Sequence, residues 1–171
     1  GYSDTRKKIP LSDSSAFQIA SVSKQFTAVS VLMLMERGLI NLEDTIQKFI
    51  PGFPYPGITI RMLLSHRSGL PNYLYFTDHL KFDKTKPMTN SGLLNLIKKH
   101  HPEIYFRPDK KYQYSNTGYV ILASIIEKVS GLTFNDFLRK NIFDRLGMND
   151  TYVYEFGLNI PQKTVTYVYG S

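Results

Sequence analysis

Apolar residues are packed most densely around Val22, Phe26, Val29, Leu32, Met33 and Leu34, and their spacing leaves almost no polar face on a helix. A helix apolar on most of its surface is a central one, buried by its neighbours. The pattern predicts that it runs from Ser21 to about Arg37, with Gly38 as the residue that ends it. Ahead of it, residues 1–20 read as the end of a strand, then a polar turn, then an extended approach through Phe17 and Ile19.

Past Gly38 the periodicity is that of short helices. One starts at Asn41–Thr45 and stops before Pro51, where Pro51–Gly57 reads as an ordered aromatic loop. Thr59 caps a helix carrying Met62, Leu63 and Leu64, which ends in Ser65-His66-Arg67-Ser68-Gly69-Leu70-Pro71. Residues 72–88 are aromatic and basic without clear period, as in a long loop or a lid. Thr89 caps a helix to His100, and Ser115 or Asn116 caps a helix over Tyr119–Val129 that Gly131 ends. Thr133 and Asp136 give a capping-box-like start to a last helix, stopped near Gly147, and residues 151–169 read as strand-like or extended. No internal repeat or linker divides the chain, so 171 residues make a single domain.

Composition narrows the class. With 42% hydrophobic and 20% charged residues the chain carries a core, and disorder is excluded. The formal charge of +7 suggests nucleic acid, yet the basic groups (Arg6-Lys7-Lys8, Lys98-Lys99-His100-His101, Lys110-Lys111) are too short and scattered to track phosphates and read as solvated faces. The absence of cysteine removes disulfides, a thiolate nucleophile and Cys-based zinc sites. The neighbours His100 and His101 point apart on a helix, so they are not a metal pair, and no cofactor is implied. No apolar run reaches the roughly 18 residues of a membrane span. The opening Gly1-Tyr2-Ser3-Asp4 is that of a processed or excised segment.

The candidate chemistry lies where the central helix begins. Ser21 and Lys24 stand three residues apart and so share a helix face, which lets the amine take the hydroxyl proton as it attacks a carbonyl. Burial and the positive end of the helix dipole both favour the neutral amine that this requires. Tyr114 supplies a second movable proton, and the Asn116 amide two residues on can orient the lysine and a substrate carbonyl. Ser-x-x-Lys alone also fits an ordinary helix start, and Tyr-x-Asn alone fits a core tyrosine before a cap. His66 has no carboxylate placed to orient it and reads as a structural residue that hydrogen-bonds the loop backbone.

Together, Ile19-Ala20-Ser21-Val22-Ser23-Lys24, Leu63–Pro71, Tyr114-Ser115-Asn116-Thr117-Gly118-Tyr119 and Leu146-Gly147-Met148 with Thr151 resemble the serine β-lactamase and penicillin-binding-protein superfamily. The likeness is to the branch of class C β-lactamases, D-alanyl-D-alanine carboxypeptidases and esterases. It implies an α+β fold of β-lactamase/transpeptidase type and a serine hydrolase working through an acyl-enzyme. Ser21, Lys24 and Tyr114 would be catalytic, and Asn116 substrate-binding. The implied substrate is a small molecule or peptide (an ester, a β-lactam or a D-Ala-D-Ala-like peptide), in a bacterial periplasmic or extracellular setting.

The third motif of that family, Lys-Thr-Gly or His-x-Gly on a strand, has no counterpart here: Lys163-Thr164-Val165 lacks the glycine and comes too early. The expectation is therefore a partial domain, mostly the helical region with a partial antiparallel sheet, in which the helix from Val22 to Met35 has lost the layer covering one face. The rival to an enzyme is a β-lactam- or peptidoglycan-binding sensor module, or an inactive fragment. Whether Lys24 or Tyr114 is the base stays open, as does the oligomeric state.

Overall fold

The structure, a computed structural model, describes residues 1–80, 87–155 and 157–165. It begins with a hairpin of β1 (Tyr2–Asp4) and β2 (Ile9–Pro10), antiparallel, with Tyr2 opposite Pro10, Asp4 opposite Ile9 and an irregularity between. The turn forms because the Asp4 carboxylate accepts the backbone N–H groups of Arg6 and Lys7, both at 2.9 Å. This hairpin is the small sheet of the expected α+β fold.

Seven helices follow among the described residues: α1 (Lys24–Glu36), α2 (Ile46–Phe49), α3 (Ile60–Leu64), α4 (Tyr73–His79), α5 (Asn90–His100), α6 (Asn116–Ser130) and α7 (Phe134–Leu138). The side-chain caps fall where the sequence puts them. Thr59 Oγ1 accepts Met62 N–H at 3.3 Å, Thr89 Oγ1 accepts Gly92 N–H at 3.0 Å, and Thr133 Oγ1 accepts Asp136 N–H at 3.1 Å. After α7 the chain widens into one π turn (Arg139–Phe143), tightens into a 3₁₀ turn (Asp144–Leu146) and leaves through Gly147 at φ +65°.

Helix α6 is the hub, touching α1, α2, α3, α4, α5 and α7. Its Ile121, Leu122, Ile125 and Ile126 are fully buried among Val31 and Leu34 of α1, Leu63 of α3, Leu93 and Ile97 of α5, and Phe137 and Phe143. At the crossing with α3, Gly118 brings backbone against backbone: a Cβ there would lie 3.5 Å from the Leu63 carbonyl oxygen. The loop at 51–57 is ordered as expected, with Phe53 buried, Gln47 Nε2 donating to the carbonyls of Phe53 (3.2 Å) and Tyr55 (2.7 Å), and the Tyr55 hydroxyl donating to Pro102 C=O.

Two expectations need correction. Residues 73–79 are helical, because Asn72 Oδ1 caps them through Leu74 N–H at 3.3 Å and Phe76 gives the turn a buried anchor; the rest of the expected lid, residues 81–86, lies outside the described residues. The described residues of 151–155 and 157–165 form no regular strand. Only Lys163 bridges, in parallel, to Ala16, and Val165 N–H reaches Ser3 C=O at 2.9 Å; Tyr167 and Val168 lie outside the described residues. Helix α1 is buried on one side only, the arrangement expected of a helix without the layer over one face. Thr27, Ser30, Val31 and Leu34 face the core, whereas Val29 and Leu32 are 46% and 42% exposed, since the described residues contain no layer over that face.

Candidate active site

Ser21 does not begin an α-helix. It lies in a 3₁₀ turn, Ala20–Ser23, that feeds into α1 at Lys24. The difference improves the geometry, since three residues per turn eclipse positions i and i+3. Lys24 Nζ accordingly comes to 3.1 Å of Ser21 Oγ. The turn is set by Ala20, whose φ of +45° is unusual for a residue with a Cβ, and is closed by Ser23 Oγ donating to Ala20 C=O at 2.5 Å. A non-glycine residue in this region holds local strain of about 1–3 kcal/mol, which the surrounding packing must sustain.

From the far side of the fold, Ser115 caps α6 in an extended conformation (φ −141°, ψ 127°), which turns the residues on either side of it toward Lys24. The Tyr114 hydroxyl donates to Ser21 Oγ at 2.6 Å, and Lys24 Nζ donates to Asn116 Oδ1 at 2.8 Å. Lys24 Nζ also stands 4.9 Å from the centre of the Tyr114 ring and 5.5 Å from that of Tyr119. Residues 21, 24, 114 and 116 thus form one cluster. Burial pushes the Tyr114 phenol up, but its hydrogen bonds with Lys24 and Ser21 and the Lys24 charge outweigh that and hold it below the ordinary tyrosine range.

The segment bearing Tyr114 is zipped to the loop after α3. Asp109 N–H donates to Arg67 C=O (2.9 Å), Tyr105 N–H to Gly69 C=O (2.8 Å) and Gln113 N–H to His66 C=O (2.9 Å). Arg67 Nε adds an ion pair with Asp109 Oδ1 at 2.6 Å. Deeper in, Thr117 Oγ1 donates to Pro71 C=O at 2.6 Å and accepts Tyr73 N–H at 2.8 Å. The Ser65–Pro71 loop is therefore the template on which the second half of the site is laid, and the His66 ring bonds not its own loop's backbone but Ser115 N–H of the opposite segment, at 3.3 Å.

Two contributors escaped sequence reasoning. Tyr119 was visible as the i+3 neighbour of Asn116, hence on its helix face, whereas nothing local marks Ala20. Lys163 stands over the Tyr154 ring at 4.5 Å and takes no part in the cluster's hydrogen bonds. His100 ends α5 and His101 is its left-handed cap (φ +45°). Among the described residues no three His, Asp or Glu side chains are grouped to hold a metal ion, and no single helix is long and apolar enough to cross a membrane. Near Ser21 in sequence and along α1, the apolar side chains of Phe17, Ile19, Val22, Val29 and Leu32 are exposed.

The Beta-lactamase family model matches residues 1–170. Penicillin-binding protein 4* of Bacillus subtilis (strain 168) is 42% identical over 172 residues, which cover 99% of this chain and 37% of that protein. Among solved structures, a penicillin binding protein from Bacillus halodurans superimposes with a TM-score of 0.84 at 30% identity, covering 98% of this chain and 51% of that one. The D-amino acid amidase from Ochrobactrum anthropi SV3, solved with L-phenylalanine amide, gives 0.74 at 32% identity, covering 90% and 43%. The chain thus spans between about a third and a half of the length of these relatives.

Proposed function

The chain belongs to the beta-lactamase family, and from that premise we propose that it carries the nucleophile and proton relay of a serine hydrolase acting through an acyl-enzyme. The single observation that supports this most is the convergence of Lys24 Nζ (3.1 Å) and the Tyr114 hydroxyl (2.6 Å) on one oxygen, Ser21 Oγ. Two donors on a serine oxygen stabilise developing negative charge there, and either group in its deprotonated form can receive the serine proton.

In the proposed cycle Ser21 Oγ bonds to the substrate carbonyl carbon while its proton passes to Tyr114 or Lys24. The carbonyl re-forms as the bond to the leaving group breaks, and the leaving group takes that proton. Water then attacks the Ser21 ester, gives up a proton through the same pair, and releases the acid with Ser21 restored. Asn116 holds the Lys24 ammonium through Oδ1 and leaves its amide N–H groups for a substrate carbonyl. The substrate is a carbonyl compound with a leaving group (an amide, an ester or a β-lactam). We favour peptide or ester over a dedicated β-lactam. An acyl-transfer site of this kind uses a second oxyanion donor beside the nucleophile's own N–H, and the third motif that would carry it has no counterpart among these 171 residues.

Labelling with a fluorescent penicillin or a fluorophosphonate tests this. Ser21→Ala should abolish the adduct, and an adduct undiminished in that variant would refute the assignment. The missing third motif favours one rival, a sensor that is acylated without turnover. Intact mass after mixing with a p-nitrophenyl ester would then show a stoichiometric acyl adduct that persists, and the hydrolase reading expects one that decays as water releases the acid.

A further inference from the structure

His66 takes no part in the cycle above, yet its half-buried ring lies against two of the cluster's aromatic rings. Its centre is 4.5 Å from that of Tyr114 at an interplanar angle of 35°, and 5.1 Å from that of Tyr119 at 32°. The two hydrogen bonds it makes to the opposite segment bracket Tyr114. His66 C=O accepts Gln113 N–H at 2.9 Å, and Nδ1 accepts Ser115 N–H at 3.3 Å. In an extended chain alternate N–H groups point the same way, so the imidazole nitrogen replaces the next acceptor of a strand edge and Tyr114 is held between the two bonds. The backbone of His66 is strained to do this, at φ +56°. Histidine is among the few residues enriched in that region.

We infer that His66 is a positioning residue that holds the Tyr114 hydroxyl on Ser21, and that it does so only while its imidazole is neutral. The inference rests on the proposed roles of Ser21 and Tyr114. A backbone N–H can bond only to an Nδ1 that keeps its lone pair, so the ring is the Nε2–H tautomer. Protonation puts a hydrogen on Nδ1 against Ser115 N–H, removes the second of the two brackets and adds a cation beside Lys24. The groups facing the ring are Lys24 from α1, Tyr112 and Tyr114 from the segment before α6, and Tyr119 from α6; on its own loop Arg67 is paired with Asp109. Burial, and then the Lys24 charge, lower the imidazole below its ordinary value of 6.5. The clasp is therefore intact at neutral pH and is released as pH falls through that lowered value.

Two variants separate the acceptor from the titration. In His66→Asn, Oδ1 takes the place of Nδ1, asparagine tolerates the positive φ, and nothing titrates. In His66→Leu the acceptor is gone. The rate of Ser21 labelling by a fluorophosphonate is followed against pH, with the His66 ring proton followed by NMR. The wild-type rate should fall on the acid side with a midpoint below 6.5 that coincides with the His66 titration. His66→Asn should lose that limb and stay within about tenfold of wild type at neutral pH, while His66→Leu should be slower by about 10²-fold at neutral pH, the scale of losing a well-placed proton-transfer group, and should converge with wild type on the acid side, where the wild-type clasp is itself released. An acid limb unchanged in His66→Asn assigns it to another group, and a His66→Leu rate equal to wild type at neutral pH removes the positioning role; either overturns the inference. If His66→Leu does not fold, the limb in His66→Asn decides. If wild type is not labelled at Ser21, the hydrolase reading fails separately. The inference then stands or falls on whether the Tyr114 ring resonances move with the His66 titration.

Discussion

Gly69→Ala should be among the most damaging single-methyl additions in the molecule, because two independent effects coincide there. Gly69 has a φ of +73°, and a Cβ built on it would lie 2.1 Å from the Phe106 carbonyl oxygen. Placing an L-residue in the left-handed region costs about 1–2 kcal/mol. Forcing Phe106 away adds overpacking strain of about 1–3 kcal/mol, and loss of the 2.8 Å bond from Tyr105 N–H to Gly69 C=O adds about 1 kcal/mol. The expected destabilisation is roughly 3–6 kcal/mol, a large share of the 5–15 kcal/mol that holds a typical domain together. Gly38 is the internal control, with φ +71° and nothing within 4 Å of a built Cβ, so Gly38→Ala should cost only the conformational part. Urea denaturation of the two variants measures the difference. A gap of about 2 kcal/mol or more is expected; equal losses would refute the claim that the 66–71 loop is pressed against the segment carrying Tyr114.

Tyr114→Phe removes the 2.6 Å hydrogen bond to Ser21 Oγ while keeping the ring against His66, and should slow acylation by about 10²–10⁴-fold with little change in stability. Ser115→Ala should leave stability unchanged or raise it by about 1–3 kcal/mol, because the buried Ser115 hydroxyl has no hydrogen-bond partner among the described residues; a loss on thermal melting would reveal a partner. Replacing the exposed pair Val29 and Leu32 by Glu and Lys should reduce self-association of the 171-residue chain on light scattering, since several hundred Å² of uncovered apolar surface drives association. A wild-type chain already monodisperse at high concentration would sink that reading.

The local signals in the sequence translate directly into structure where one residue decides the geometry. Thr59, Thr89 and Thr133 cap their helices, and Gly38, Gly131 and Gly147 end theirs with positive φ. Ser21, Lys24, Tyr114 and Asn116 are legible in the same way, since each motif carries its own spacing and helix start. What sequence could not show is non-local. The periodicity of α1 alone does not tell which of its faces is covered; the uncovered face is legible only through the missing third motif, and which residues line it, Val29 and Leu32, comes from the structure. The helical turn at 73–79 hides behind short length and mixed composition. The stacking of His66 on Tyr114 spans 48 positions and depends on how the 66–71 loop meets residues 105–117.

The central claim is that Ser21 is the nucleophile and that Lys24 and Tyr114 share its proton. It is tested most directly by intact-mass and peptide mapping of the protein after fluorophosphonate treatment, comparing wild type with Ser21→Ala, Lys24→Met and Tyr114→Phe. The account predicts a single adduct on the peptide containing Ser21, none in Ser21→Ala, and slowing by about 10²-fold or more in each of the other two. An adduct mapped to another residue, or a rate indifferent to both Lys24 and Tyr114, would contradict it.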